Sequence, residues 1–179
     1  MSSCHLAQRW YRRRQLLSKN LSAELRSWLF DVSSLTARLI RHGGGGFHVE
    51  VLSQQIGRAM ADEAKVLHMG SGQYALIRQV HLFCGNRAVV YARTVIPLST
   101  LKGAERRYAN VGNRPLGGML FADRSMQREE IMVTRLTGES PLYEKTGAQG
   151  EALWGRRSLF RVGGKPLLVS EYYLPGLLA

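Results

Sequence analysis

The chain has 179 residues, of which 45% are hydrophobic and 21% charged, which is enough apolar material for one globular domain with its own core. No apolar run approaches the roughly 20 residues of a membrane span, and the N-terminus lacks the apolar stretch of a secretory signal. The 25 basic residues exceed the 13 acidic ones by 12. Such a charge predicts a solvated basic surface, steering of a small anionic substrate, or contact with nucleic acid. Because no zinc finger, RNP motif or helix-turn-helix accompanies the charge, nucleic acid is the least favoured partner.

Cysteine and histidine positions argue against a metal or redox site. Cys4 and Cys84 fit no metal-binding or disulfide-exchange spacing, and the five histidines form no His-x-x-x-His pattern. A Gly-x-Ser-x-Gly nucleophile motif is also missing from the sequence. We therefore expect no metal, and the two cysteines favour a cytoplasmic location.

The first part of the chain is predicted to be helical. Residues 1–20 form a basic segment with five Arg or Lys residues and no acid, and residues 21–179 are interpreted as one domain. Ser22 is the expected N-cap of a short helix, and Ser33 or Ser34 restarts the chain into a second helix.

Strand patterns follow a predicted turn at Gly43–Gly46. Phe47–Leu52 predicts one strand, and residues 57–72 are polar and predict a loop. Tyr74–Phe83 and Ala88–Ile96 are rich in Val, Ile, Leu and Tyr, and only four residues separate them. This pattern predicts a β-hairpin.

Two helices are predicted after this hairpin. Leu101–Val111 has the spacing of an amphipathic helix, and Pro115 starts a second short helix that runs through Leu120. Met126–Leu136 predicts another strand, and Arg135–Glu151 predicts a surface excursion.

The end of the sequence predicts a second hairpin. Arg157–Val162 and Pro166–Leu174 have the composition of strands, and Gly163-Gly164 between them can form a tight turn because glycine accepts positive φ. The pattern as a whole contains about six strands with short helices between them and no β-α-β alternation. It predicts an α+β fold with a six-stranded, largely antiparallel sheet and helices on one side.

Two charged residues fall on strand faces that are otherwise apolar. Side-chain alternation places Glu171 and Arg78 each among apolar neighbours on its own strand. A buried charge costs free energy unless something pairs with it. The two residues are therefore either a structural ion pair that fixes the strand register or groups that bind a ligand. Their apolar neighbours are Leu167, Val169 and Tyr173 for the glutamate, and Leu76, Val80 and Leu82 for the arginine.

Three sequence blocks carry a family resemblance. Leu153–Leu178 contains WGRRS, GKPLLVSE and LP, and this pattern resembles the C-terminal signature of the bacterial chorismate lyases (chorismate–pyruvate lyases). ARTVIPLSTL at Ala92–Leu101, followed by RPLGGMLF at Arg114–Phe121, supports the resemblance, and Tyr74–Val80 is a looser match. The resemblance covers most of the chain from about Leu21 onward.

The resemblance implies both a fold and an activity. Chorismate lyases have a six-stranded antiparallel sheet with helical flaps over a buried ligand site. The implied reaction converts chorismate to 4-hydroxybenzoate and pyruvate, the first step of ubiquinone synthesis in bacteria. It needs no metal or cofactor, and a monomer is expected. The alternative is a non-catalytic domain of the same fold that binds a small aromatic acid, as in some bacterial transcription factors.

The resemblance also implies roles for individual residues. The residues that match Arg78 and Glu171 contact the bound hydroxybenzoate, so these two are the candidate catalytic residues. The arginine suits the ring carboxylate and the glutamate suits the ring hydroxyl. Leu116 and Leu35 match apolar contacts and would provide walls for the flat ring.

A second carboxylate in chorismate requires a second cation. Arg93 is the candidate, because it lies within a strand rich in Val and Tyr. Arg156 and Arg157 are alternatives, and at most one of them can point inward because neighbouring strand residues face opposite sides. The family often has glycine before the arginine that matches Arg93, whereas this chain has Ala92.

Overall fold

The structure is a computed structural model that describes residues 8–16, 21–43 and 46–177. Cys4 and parts of the predicted segment 1–20 and of the turn Gly43–Gly46 lie outside the described residues. Within them the strands are β1 (Tyr11–Arg12), β2 (Phe47–Gly57), β3 (Ala75–Cys84), β4 (Arg87–Pro97), β5 (Gln127–Arg128), β6 (Met132–Leu136), β7 (Leu153–Val162) and β8 (Lys165–Tyr173). The α-helices are α1 (Ala23–Leu29), α2 (Leu35–His42), α3 (Ala61–Val66), α4 (Leu116–Ala122) and α5 (Pro141–Lys145), and short 3-10 helices occupy Arg13–Leu16, Gly103–Ala109 and Pro175–Leu177.

One antiparallel sheet contains all the described strands. Its order is β1-β6-β7-β8-β4-β3-β2, and β5 pairs with β7. The predicted α+β class with an antiparallel sheet is confirmed, but the predicted count of six strands is too low, since the sheet has eight. The two strands that the sequence pattern missed, β1 and β5, are two residues long, which is too short for alternation to be visible. β1 comes from the predicted basic segment, so the sheet extends into it.

The predicted strand Met126–Leu136 is divided into β5 and β6. Both pieces pair with β7, where Arg128 is opposite Phe160 and Met132 is opposite Arg157. The chain advances four residues from Arg128 to Met132, whereas the partner strand advances only three between Arg157 and Phe160. The extra residue interrupts the pairing with β7.

The predicted loop at residues 57–72 is wrong, because it contains α3. The N-terminus of this helix is closed by Glu63, whose carboxylate accepts a hydrogen bond from the Met60 backbone N–H over 2.9 Å. Residues 61–66 are polar because the N-terminal end of α3 meets charged side chains of the sheet. Their polarity does not mean that the segment is a loop.

Two further predictions are corrected. Leu101–Val111 is not an α-helix but contains a 3-10 helix at Gly103–Ala109, in which Tyr108 is the buried residue. The excursion Arg135–Glu151 contains α5, whose Leu142 and Tyr143 are buried.

Apolar clusters cover both faces of the sheet, so the prediction of helices on one side is wrong. Helices α1, α2 and α4 pack against one face, which we call the cavity face. Helix α5 and the residues at the C-terminal end of α3 pack against the opposite face. The predicted N-caps are confirmed, since Ser22 and Ser34 accept hydrogen bonds from the backbone N–H groups of Leu25 and Ala37.

Candidate active site

An internal cavity lies between the cavity face of the sheet and helices α2 and α4. Its lining is mainly apolar, with a few charged groups. The described residues that line it are Ser33, Leu35, Thr36, Val49, Arg78, Val80, Leu82, Ala92, Thr94, Pro115, Leu116, Gly117, Leu120, Phe121, Arg128, Arg156, Phe160, Val169 and Glu171.

The floor of the cavity consists of two parallel rows of side chains that cross strands β3, β4, β8 and β7. Residues directly opposite each other on neighbouring strands share a face, and the rows are two residues apart along each strand. The Arg78 row is Arg78, Thr94, Val169 and Ser158, and the Glu171 row is Val80, Ala92, Glu171 and Arg156. Arg78 and Glu171 therefore face the same space from strands that are two positions apart.

Arg78 enters the cavity from β3 and is buried. Its Nη1 donates to Gln54 Oε1 over 3.0 Å, and its Nη2 donates to the Arg114 carbonyl over 3.4 Å. Both partners are neutral, and burial lowers the pKa of Arg78 from its usual value. An arginine still stays charged under these conditions, so the site holds a desolvated cation.

Glu171 is paired with Arg156 and not with Arg78. Arg156 Nε donates to Glu171 Oε2 over 2.6 Å, and Arg156 Nη1 donates to the carbonyls of Trp28 and Asp31. Burial acts to lower the pKa of Arg156, but Glu171, Tyr173 and Asp31 together outweigh it and the pKa is raised. The structural ion pair between Arg78 and Glu171 is thus absent from the described structure.

Arg128 is a third cation at the cavity. Its Nε donates to Ser158 Oγ over 2.9 Å, and its Nη1 lies 3.2 Å from the Val32 carbonyl and 3.5 Å from the Asp31 carbonyl. Burial lowers its pKa, and the neighbouring charge of Arg156 lowers it further.

Leu35 and Leu116 form part of the roof. Leu35 is the first residue of α2 and Leu116 the first of α4, and both line the cavity. The two helices meet at Gly117, where an added Cβ would lie only 2.7 Å from Thr36 Oγ1. A glycine is needed there because the helices approach so closely.

The sequence matches the family described as chorismate lyase over residues 6–178. The chain belongs to the chorismate lyase family. It is 42% identical to a protein of Methylococcus capsulatus named "Probable chorismate pyruvate-lyase", over 87% of this chain and 97% of that protein. A protein of Azoarcus sp. with the same name is 40% identical, over 86% of this chain and 85% of that protein.

Two solved structures share the fold of this chorismate lyase family member. PhnF from Mycobacterium smegmatis superposes with a TM-score of 0.58 at 12% identity, over 82% of this chain and 66% of that chain. The C-terminal domain of the histidine utilization repressor from Pseudomonas syringae pv. tomato gives 0.56 at 14% identity, over 73% of this chain and 92% of that domain. At these identities the likeness concerns the fold alone.

Arg93 of this family member does not reach the cavity. It follows Ala92 on β4, so it points to the opposite face, where its Nε and Nη2 donate to Glu63 over 2.7 and 3.0 Å. Arg157 lies on the same opposite face and donates to Asp62 Oδ2 over 2.8 Å. Of the two adjacent arginines, Arg156 is therefore the one that points inward, in agreement with the predicted alternation.

Two cavity residues had weak or no signals in the sequence. The sequence offers Arg156 only as an alternative, and Arg128 lies in a predicted strand whose interruption changes the direction of its side chains. Ala92 lines the cavity floor, where its methyl group takes space that a glycine would leave open. Among the described residues, no group of three or more His, Cys, Asp or Glu side chains could hold a metal ion, and no helix is long and apolar enough to cross a membrane.

Proposed function

We propose that this protein converts chorismate to 4-hydroxybenzoate and pyruvate. The supporting observation is the cavity floor, on which Arg78 and Glu171 face one apolar space in a member of the chorismate lyase family. Two strand spacings and two residues along the strand separate them, about 12 Å between backbones. We propose that the ring of the substrate lies between these two side chains.

Arg78 binds the ring carboxylate. Its guanidinium is desolvated and bonded only to neutral oxygens, so an incoming carboxylate would form a charge-assisted pair in a low dielectric. Leu35 and Leu116 then cover the faces of the ring, which has no polar atoms to satisfy there.

Glu171 accepts a hydrogen bond from the ring hydroxyl. Arg156 holds one carboxylate oxygen, and the other, Oε1, makes no hydrogen bond within the described residues. Among the described residues that line the cavity, Glu171 has the one carboxylate. It is therefore the side-chain base that would transfer the proton.

The reaction breaks the bond between the ring and the enolpyruvyl oxygen. The ring loses the hydrogen of its hydroxyl-bearing carbon and becomes aromatic, while the enolpyruvyl methylene gains a hydrogen and becomes the methyl group of pyruvate. The protein supplies orientation and fixed charges, and aromatisation supplies the driving force. We expect the enzyme to act as a monomer, and the 4-hydroxybenzoate would feed ubiquinone synthesis.

The test is incubation with chorismate. Pyruvate is followed with lactate dehydrogenase and 4-hydroxybenzoate by chromatography, and the two should appear in equal amounts above the rate without protein. Arg78→Ala should abolish most of the activity, whereas Arg161→Ala should not, because Arg161 is a half-exposed cation paired with Glu129. A wild-type protein that binds 4-hydroxybenzoate but releases no pyruvate would instead be a non-catalytic binding domain.

A further inference from the structure

The charges around the cavity do not balance. Three guanidinium groups line it, from Arg78, Arg128 and Arg156, against the single carboxylate of Glu171. Glu171 is committed to Arg156. The other two arginines have no carboxylate oxygen within 4.0 Å among the described residues, and they bond only to neutral oxygens. The cavity therefore carries a net charge of +2.

An unbalanced charge of this kind is costly in an apolar cavity. Each desolvated cation raises the free energy of the empty protein, and a bound anion recovers that cost. Two such cations in one cavity are neutralised by a ligand with two negative charges. Chorismate has two carboxylates, whereas 4-hydroxybenzoate has one.

Arg78 and the serine that binds Arg128 lie at opposite ends of the Arg78 row. Arg78 begins the row on β3, and Ser158, which accepts the hydrogen bond from Arg128 Nε, ends it on β7. Three strand spacings, about 14 Å, separate the backbones of these ends. Both arginine side chains extend into the cavity between these ends, so they can hold two anionic groups of one molecule.

The three other arginines considered as carboxylate ligands are already occupied. Arg156 uses Nε on Glu171 and Nη1 on the carbonyls of Trp28 and Asp31. Arg93 and Arg157 lie on the opposite face, each paired with an acid.

We infer that Arg128 binds the enolpyruvyl carboxylate of the substrate while Arg78 binds the ring carboxylate. The inference rests on the proposed function, because that function supplies the dicarboxylate. When the ether bond breaks, its electron pair goes to the enolpyruvyl oxygen, and the resulting pyruvate enolate is beside Arg128. The charge of Arg128 thus acts on substrate and transition state, whereas 4-hydroxybenzoate has no group for it.

The test compares three ligands on one variant. Arg128→Gln should lower kcat/KM for chorismate at least about 30-fold, as truncation of one partner of a buried charged pair does. The affinity for 4-hydroxybenzoate, measured by calorimetry, should change less than about threefold. The unreactive dicarboxylate 3-(1-carboxyvinyloxy)benzoate should bind at least about tenfold more weakly to the variant than to wild type. Arg78→Gln should weaken all three ligands, and Arg161→Gln, which removes a half-exposed cation of the same sheet, should weaken none.

Other results would overturn the assignment. Equal losses for the mono- and dicarboxylates would make Arg128 part of the cavity structure, and unchanged kcat/KM would exclude it from binding. If wild type binds the unreactive dicarboxylate but releases no pyruvate from chorismate, the proposed function fails, and the comparison of the dicarboxylate with 4-hydroxybenzoate still decides the role of Arg128. Arg128→Lys provides a second variant if the glutamine variant does not fold. It keeps the charge and should retain part of the preference for the dicarboxylate over 4-hydroxybenzoate.

Discussion

Arg156 and Glu171 are directly opposite each other on β7 and β8, and the Arg156 Nε lies 2.6 Å from Glu171 Oε2. The arginine side chain is 1% exposed and the glutamate side chain 15% exposed. The arginine is thus anchored beneath the carboxylate, and its remaining bonds go to backbone carbonyls. One carboxylate oxygen is fixed by this pair, which orients the other toward the ligand.

Glu171→Gln should lower turnover more than it lowers product affinity. The amide oxygen can still accept from Arg156, so the fold should persist, but the negative charge that can take up a proton is gone. We expect kcat for chorismate to fall by about 10²- to 10⁴-fold, the range for loss of a general acid or base. The 4-hydroxybenzoate affinity should fall less than about tenfold. Equal losses in both quantities would make Glu171 a binding residue only.

Arg93→Ala should destabilise the protein without weakening ligand binding. The Arg93–Glu63 pair is buried, with side-chain exposures of 6% and 3%, and the change leaves the Glu63 charge uncompensated. Urea unfolding should show a loss of about 3 to 5 kcal/mol. The double variant Arg93→Met/Glu63→Leu removes both charges and should recover much of the loss. A weakened 4-hydroxybenzoate affinity with intact stability would instead place Arg93 in the binding site.

Gly117→Ala should loosen the roof of the cavity. The added methyl group would meet Thr36 Oγ1 at 2.7 Å and push α4 away from α2. If product release under a closed roof limits turnover, wild type shows a first-turnover burst of pyruvate in quench-flow. The variant should show a smaller burst and faster dissociation of 4-hydroxybenzoate, and adding Thr36→Ala should restore the wild-type behaviour.

Gly118→Ala is the matched control in the same helix. Its added Cβ would come no closer than 3.9 Å to Pro115 Cγ, so the burst should not change. A wild-type reaction without a burst would show that chemistry is the slow step.

Asp123→Asn should remove a pH-dependent part of the stability. Asp123 ends α4, and its carboxylate accepts hydrogen bonds from Tyr108 and Ser125, which lower its pKa to about 2. Because the folded pKa lies below the usual 3.8, the contribution is present above about pH 4 and is lost as the pH falls toward 2. The Tm difference between wild type and variant should therefore be constant near neutrality and shrink below pH 4. A difference that stays constant down to pH 2.5 would contradict this role.

Alternation along single strands predicts Arg78 and Glu171 but not the whole set of cations. The same rule predicts that Arg93 shares a face with Val89, Tyr91 and Val95, and Tyr91 and Val95 do pack on that face. Val89 instead packs in the cluster of the cavity face, because the register between β3 and β4 shifts beside it. Both sheet faces are buried, so an apolar face does not reveal which one holds the cavity. Which face holds the cavity depends on the helices that cover each face. The sequence pattern does not reveal α3, because its charged residues pair with the sheet. The direction of Arg128 depends on an interruption between β5 and β6 that exists only through pairing with β7. The ligand roles of Arg78, Glu171, Leu116 and Leu35 stay predictions.

The position of β8 has a consequence for synthesis of the chain. This strand comes after all the others in sequence, yet it joins β4 to β7 in the middle of the sheet. While the ribosome is still making it, β4 exposes an unpaired edge that includes Val90 and Val95, and the two halves of the sheet have no ladder between them. Such an edge is prone to pair with other nascent chains. The protein should therefore depend on ribosome-associated chaperones until its C-terminal hairpin emerges, and slower translation upstream of β7 should lower its soluble yield.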